Sequence, residues 1–114
     1  MGDAMKRFYS AKTDANQTMI ANGLRTTGYA VEMLHRLGDG IPDLLVCHKS
    51  GAGGNILVEI KQRGEKLNDK EKRFFELWPG PRIIVYGIDD ALAKLEGLRD
   101  RLDISAILTV EGRT

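Results

Sequence analysis

The sequence predicts an α/β domain, a β-sheet flanked by helices in the order α-β-β-β-α-β-α-β. Three observations carry that prediction. Apolar runs of strand length recur at Ile41 to Cys47, Ile56 to Ile60 and Arg82 to Gly87, each bounded by glycine, proline or polar breaks. Capping boxes, in which a polar residue is followed three positions on by Glu or Gln, mark Asp14 with Gln17 and Asn68 with Glu71 as helix starts. A length of 114 residues suits one domain with a modest core and is too short for two that fold independently.

Residues 1–13 are polar, carry Lys6, Arg7 and Lys12, and show no sustained period, so they read as a flexible arm before a single domain of residues 14–114. The first helix is expected from about Ala15 to Thr26, with Met19, Ile20 and Leu24 at helical spacing, and Gly28 ends it. Tyr29 to Leu37 alternates as a strand, with Val31, Met33 and His35 on one face. Gly38-Asp39-Gly40 breaks it. The runs at Ile41 to Cys47 and Ile56 to Ile60 are nearly continuous in apolar residues, which predicts strands covered on both faces. Lys49 to Asn55, between them, reads as a hairpin loop. A Walker loop needs its Lys and Ser/Thr after the glycines and leading into a helix, whereas these glycines lead into a strand. The helix opened by Asn68 carries Phe74, Phe75 and Trp78, an aromatic stripe read as core packed on the sheet, and Pro79-Gly80-Pro81 terminates it. Arg82 to Gly87 is a further buried strand. Asp89 is expected to cap a third helix with Ala91, Leu95, Leu98 and Leu102 on its apolar face, and Ile104 to Val110 to add or exchange an edge strand.

Composition narrows the function class. Apolar residues are 42% and charged residues 29%, the balance of a globular protein and not of a disordered one. No apolar run reaches bilayer-spanning length and the N-terminus lacks the apolar centre of a secretory signal, so a cytoplasmic protein without a membrane partner is expected. Cys47 is the sole cysteine, which excludes an intrachain disulfide and argues against a cysteine-based zinc site. Net charge is only +1, but Lys61, Arg63, Lys66, Lys70, Lys72 and Arg73 outnumber Glu65, Asp69 and Glu71 over one short stretch. That excess suits phosphate binding, and it equally suits a solvated helix face of mixed charge.

The chemistry-bearing residues sit at the ends of two of these strands. If the runs around Asp43 and Glu59 pair as a hairpin centred on the glycine loop, the numbers of opposed residues add to about 102–104 and Asp43 lies across from Glu59 to Lys61. Glu59 and Lys61 are two apart and therefore share a strand face. Charges withdrawn from water need partners or a metal. A hard cation such as Mg²⁺, with Mn²⁺ as substitute, would take oxygens from Asp43, Glu59 and the backbone carbonyl of Ile60. Lys61 would orient or deprotonate an attacking water, or stabilise a pentacovalent phosphate. The same spacing also describes an ordinary ion pair at a sheet edge.

Pro42-Asp43, fifteen residues, then Glu59-Ile60-Lys61 resembles the PD-(D/E)xK nuclease signature. The G-x-P-D-L-L-V run at Gly40 to Val46, the V-E-I-K run at Val58 to Lys61, and Lys66-Leu67-Asn68 leading into an aromatic-rich helix are more similar still to the small stand-alone VRR-NUC nucleases of phages and bacteria. The likeness covers roughly Asp14 to Leu98. It implies a restriction-endonuclease-like core with a mixed sheet, a divalent metal, and endonucleolytic cleavage of structured DNA such as Holliday junctions. Asp43, Glu59 and Lys61 match the metal-binding and catalytic positions. The family's acidic residue on the first helix is absent, and Gln17 or Asp14 would have to fill that place. Arg36, Gln62, Arg63, Lys66, Lys70 and Arg73 are the candidate DNA contacts, and a symmetric homodimer would suit the two equivalent strands of a four-way junction. The alternatives are a catalytically silent nuclease-like module that binds nucleic acid or assembles with partners, and a restriction or RNA-processing type of enzyme sharing the same site.

Overall fold

The computed structural model describes the backbone of residues 3–111 and the side chains of residues 14–101. Helix α1 (Asp3–Thr26) precedes strand β1 (Tyr29–Met33), a single 3₁₀ turn (His35–Leu37) and the hairpin strands β2 (Leu44–His48) and β3 (Ile56–Ile60). Helix α2 (Asp69–Leu77) then leads to strand β4 (Arg82–Val85) and helix α3 (Ile88–Glu111). The sheet is mixed, in the order β1-β2-β3-β4, with the first three strands antiparallel and β4 parallel to β3. A helix must intervene between β3 and β4, because a parallel pair cannot be closed by a tight turn.

The core lies between the sheet and the helices α1 and α3. Ile20, Ala21 and Leu24 of α1, Ala91 and Leu95 of α3, and the alternating residues Leu44 and Val46 of β2 and Ile56, Val58 and Ile60 of β3 form one buried cluster. Every residue of β3 is buried on both faces, as its unbroken apolar run requires. β2 buries only alternate residues fully. None of the described helices is long and apolar enough to cross a membrane.

Several boundaries differ from the sequence expectation, each for a local reason. Asp14 and Gln17 lie inside α1, not at its start, so they form no capping box and residues 3–13 continue the helix instead of forming an arm. Met19 is 60% exposed, and the buried stripe of α1 is Gln17, Ile20, Ala21 and Leu24, an i, i+3, i+4, i+7 pattern. β1 ends at Met33, and His35 and Arg36 occupy the exposed 3₁₀ turn. Asp89 does not cap α3; Asp90 instead reaches back to accept the Tyr86 N–H at 3.0 Å. Residues 104–110 prolong α3 rather than adding a strand, so each backbone N–H finds its partner within the helix and no sheet edge is needed. The Asn68 box is present in full. The aromatic helix it opens buries none of its residues, however, and Leu77 and Trp78 stand 69% and 45% exposed.

Candidate active site

Asp43 is held at three points. Leu34 N–H donates to its backbone carbonyl at 2.7 Å, extending the β1–β2 ladder by one rung. Its side-chain oxygens accept from Gln17 Nε2 at 2.9 Å and from the Ile60 N–H at 2.8 Å. The hairpin register explains the second contact: Leu44 opposes Val58, Leu45 opposes Leu57 and Val46 opposes Ile56, so the next step sets Asp43 across from Glu59. Buried Pro42, directly before it, packs at the end of the sheet.

Glu59 alternates with core residues Val58 and Ile60, yet it is only 2% exposed. Burial, followed by the charge and hydrogen bond of Asp43, pushes its carboxyl up to about 10. Burial raises Asp43 as well, partly opposed by the Ile60 N–H and by the hydrogen bond from Glu59. Burial and the neighbouring Asp43 thus favour the protonated form of Glu59 at neutral pH.

Lys61 completes the group. Its backbone N–H donates to Val85 O at 3.0 Å, which fixes it to β4, and its ammonium lies 4.0 Å from Glu59, 3.3 Å from Glu65 and 2.7 Å from Glu71. Burial disfavours its charge, but the hydrogen bond and charge of Glu71, aided by Glu65 and Glu59, outweigh that effect and hold it above the ordinary lysine value. Glu71 is the carboxylate of the capping box: the same Oε1 accepts from the Asn68 N–H at 2.8 Å and from Lys61. Its role at the site is not visible in the sequence, where a helix-start carboxylate reads only as a cap. The one available signal is its place in the basic stretch that follows Lys61.

Gln17, Asp43, Glu59, Ile60, Lys61 and Gln62 line one small polar cavity of about 120 Å³, into which Glu65 and Glu71 also face. Among the described side chains, the buried polar atoms without a hydrogen-bond partner are Gln17 Oε1 and Glu59 Oε2. Each such atom costs about 1–3 kcal/mol when left unpaired. Both belong to this cavity, which has room for about four waters at ~30 Å³ each. No cluster of three or more His, Cys, Asp or Glu suited to a metal occurs among the described residues. The donor set is therefore two carboxylates with neutral oxygens, which fits a small hard cation that keeps much of its water.

The other predicted contacts disperse. Asp14 is exposed and does not line the cavity, whereas Asn16 and Gln17 of α1 both do. Gln62 and Arg63 border a neighbouring groove with Met19 and Tyr86, and the Arg63 guanidinium lies 5.0 Å over the Tyr86 ring. Lys66 lines a further groove, which it shares with Lys61, Glu65 and Lys72. Lys70 and Arg73 are exposed on α2, with Lys70 3.6 Å from Asp39. Arg36 is exposed on the 3₁₀ turn and lines none of these recesses. No family model, curated protein or solved structure matches this chain.

Proposed function

We propose that the protein is a divalent-metal-dependent DNA endonuclease of the VRR-NUC kind, hydrolysing phosphodiester bonds in branched, Holliday-junction-like DNA in the cytoplasm, that of the host if phage-encoded, as a symmetric homodimer. The observation that carries this reading is the cavity itself. A buried carboxyl, Glu59, a half-buried one, Asp43, a buried ammonium and two unpartnered oxygens converge there from three separate elements, although withdrawing them from water disfavours folding.

Asp43, Glu59, Gln17 Oε1 and the Ile60 carbonyl are the residues that would hold Mg²⁺ or Mn²⁺. Bound there, the cation lowers the pKa of a water and offsets charge on the phosphodiester. For the pair to bind it, Glu59 must release its proton. The Gln17 amide and the Ile60 N–H keep Asp43 in one orientation throughout. A water would then form a bond to phosphorus as the bond to the leaving oxygen breaks, the water giving a proton to solvent and the leaving oxygen taking one from solvent. Lys61 remains an ammonium, because Glu71 and Glu65 favour its charged form. Its part is donation to a phosphate oxygen or to the attacking water, not deprotonation. That requires it to turn from Glu71 toward the substrate.

The silent-module reading has one observation in its favour, the engagement of Lys61 by Glu71 at 2.7 Å. A cleavage panel separates the two. With Mg²⁺ or Mn²⁺, the endonuclease cuts a labelled four-way junction, and Asp43→Ala and Lys61→Ala stop cutting while DNA binding persists. No metal-dependent cleavage of branched, duplex or single-stranded DNA would leave the binding module.

A further inference from the structure

The aromatic face of α2 takes no part in the core or in the cavity. Lys70, Arg73, Phe74, Leu77 and Trp78 fall at i, i+3, i+4, i+7 and i+8, and with Asp39 they line a single open groove of about 390 Å³. The Phe74 and Trp78 rings stack nearly parallel, 5.2 Å between centroids and 15° between planes, while Trp78 keeps 45% of its surface in contact with solvent. Its indole edge rests against Gly80, where a Cβ would come within 2.9 Å of Nε1, so the ring is pinned between Phe74 and the proline turn. A large ring held in place without being buried gains little for folding.

We propose that this face is a stacking platform for unpaired bases of a DNA single strand, with Arg73 and Lys70 taking the adjoining phosphates. Charge complementarity selects the occupant: the groove's charged rim is two cations against the single carboxylate of Asp39, which already lies 3.6 Å from Lys70. Rings beside cations suit a nucleotide, whose base is a flat π surface and whose phosphate is an anion. The platform is also rigidly tied to the cavity. Gly40, two residues before Pro42-Asp43, packs so closely on the backbone of Lys70 and Glu71 that a Cβ there would collide with it. Glu71 itself grips Lys61. Along the helix, Trp78 lies about 10 Å beyond Glu71 at 1.5 Å per residue. This rests on the nuclease reading and sharpens it: the favoured substrate has splayed bases near the scissile phosphate, as branch points and flaps do and blunt duplex does not.

Trp78 is the sole tryptophan, so its fluorescence reports on the platform alone. Titrating a dT₁₅ strand into the full-length protein in EDTA should quench it saturably. By anisotropy of a labelled strand, Trp78→Ala should bind roughly 5- to 150-fold more weakly, the range measured for removing one stacking ring. Trp78→Phe, which keeps a ring, should stay within a few-fold of the parent, and Arg73→Ala should lower the salt dependence by about one phosphate contact. Unquenched fluorescence while the labelled strand binds would overturn the proposal. So would an emission shift that depends on protein concentration without DNA, together with light scattering that returns a dimer for the parent and a monomer for Trp78→Ala, because that assigns the face to a second copy of the chain. Cutting is scored separately. Quenching with no metal-dependent cleavage leaves the platform and removes the nuclease, whereas cleavage of blunt duplex with no quenching removes the platform alone.

Discussion

Val58 and Glu59 are neighbours on β3, exposed by 0% and 2%, and burial acts on them in opposite ways. Val58 faces the cluster built from α1, β2 and α3, where loss of water contact stabilises the fold. Glu59 faces the cavity, where loss of water leaves Oε2 unpartnered and drives the carboxyl to hold a proton up to about pH 10. One strand thus carries a stabilising stripe and a destabilising one. The difference teaches where to look for function in a small domain: at buried groups that the fold would be more stable without.

The contrast breaks most sharply in activity. Asp43→Asn should lower the cleavage rate by roughly 10²- to 10³-fold or more, the scale for removing one preorganised electrostatic contact, with little loss of melting temperature. Lys61→Ala should lower it as far but also cost stability, because it strands Glu71. Leu95→Ala, in the α3 part of the core and fully buried, should do the reverse. It should destabilise by about 2–5 kcal/mol in urea titrations while the activity per folded molecule is kept.

Glu59→Gln sharpens the same comparison, because it should make the metal-free protein more stable by about 1–3 kcal/mol while ending cleavage. The sign with pH follows from its raised value. Above the ordinary carboxylate value of 4.5 the unfolded chain gives up this proton and the folded chain retains it, so stability falls as pH rises from about 4.5 toward about 10. Melting curves in EDTA across that window should slope downward for the parent, and Glu59→Gln should flatten them. The smallest effect is expected of Gln17→Glu, which adds charge to the donor set and should tighten Mn²⁺ binding on the order of tenfold. Unchanged affinity would remove Gln17 from the site.

Much of this centre was legible in the sequence. The glycine loop set the hairpin's midpoint to within a residue or two, which put Asp43 across from Glu59 to Lys61, and the register selects Glu59. Alternation put Lys61 on the same face as Glu59. The Asn68 box was readable because its two hydrogen bonds are local. What stayed hidden depended on tertiary partners. Gln17 was open between a cap residue, because Asp14 stands three positions before it, and the first-helix place in the site, and its position on the Ile20-Ala21-Leu24 stripe is what directs it at Asp43. Residues 104–110 are rich in β-branched side chains and read as a strand, but propensity in such a run yields to context, and an already formed helix gains one hydrogen bond for each residue added. The rings of α2 read as core because burial is their usual use. The sheet's layout shows that α1 and α3 supply the helical side of the core, so that Phe74 and Phe75 are only half-buried and Trp78 is exposed.

Calorimetric titration of Mn²⁺ at pH 8, repeated in buffers of different ionisation enthalpy, tests the centre most directly. Saturable binding is expected, accompanied by release of about one proton per chain, the one held by Glu59, with loss of both signals in Asp43→Asn. Binding without proton release, or binding unchanged in Asp43→Asn, would contradict that expectation.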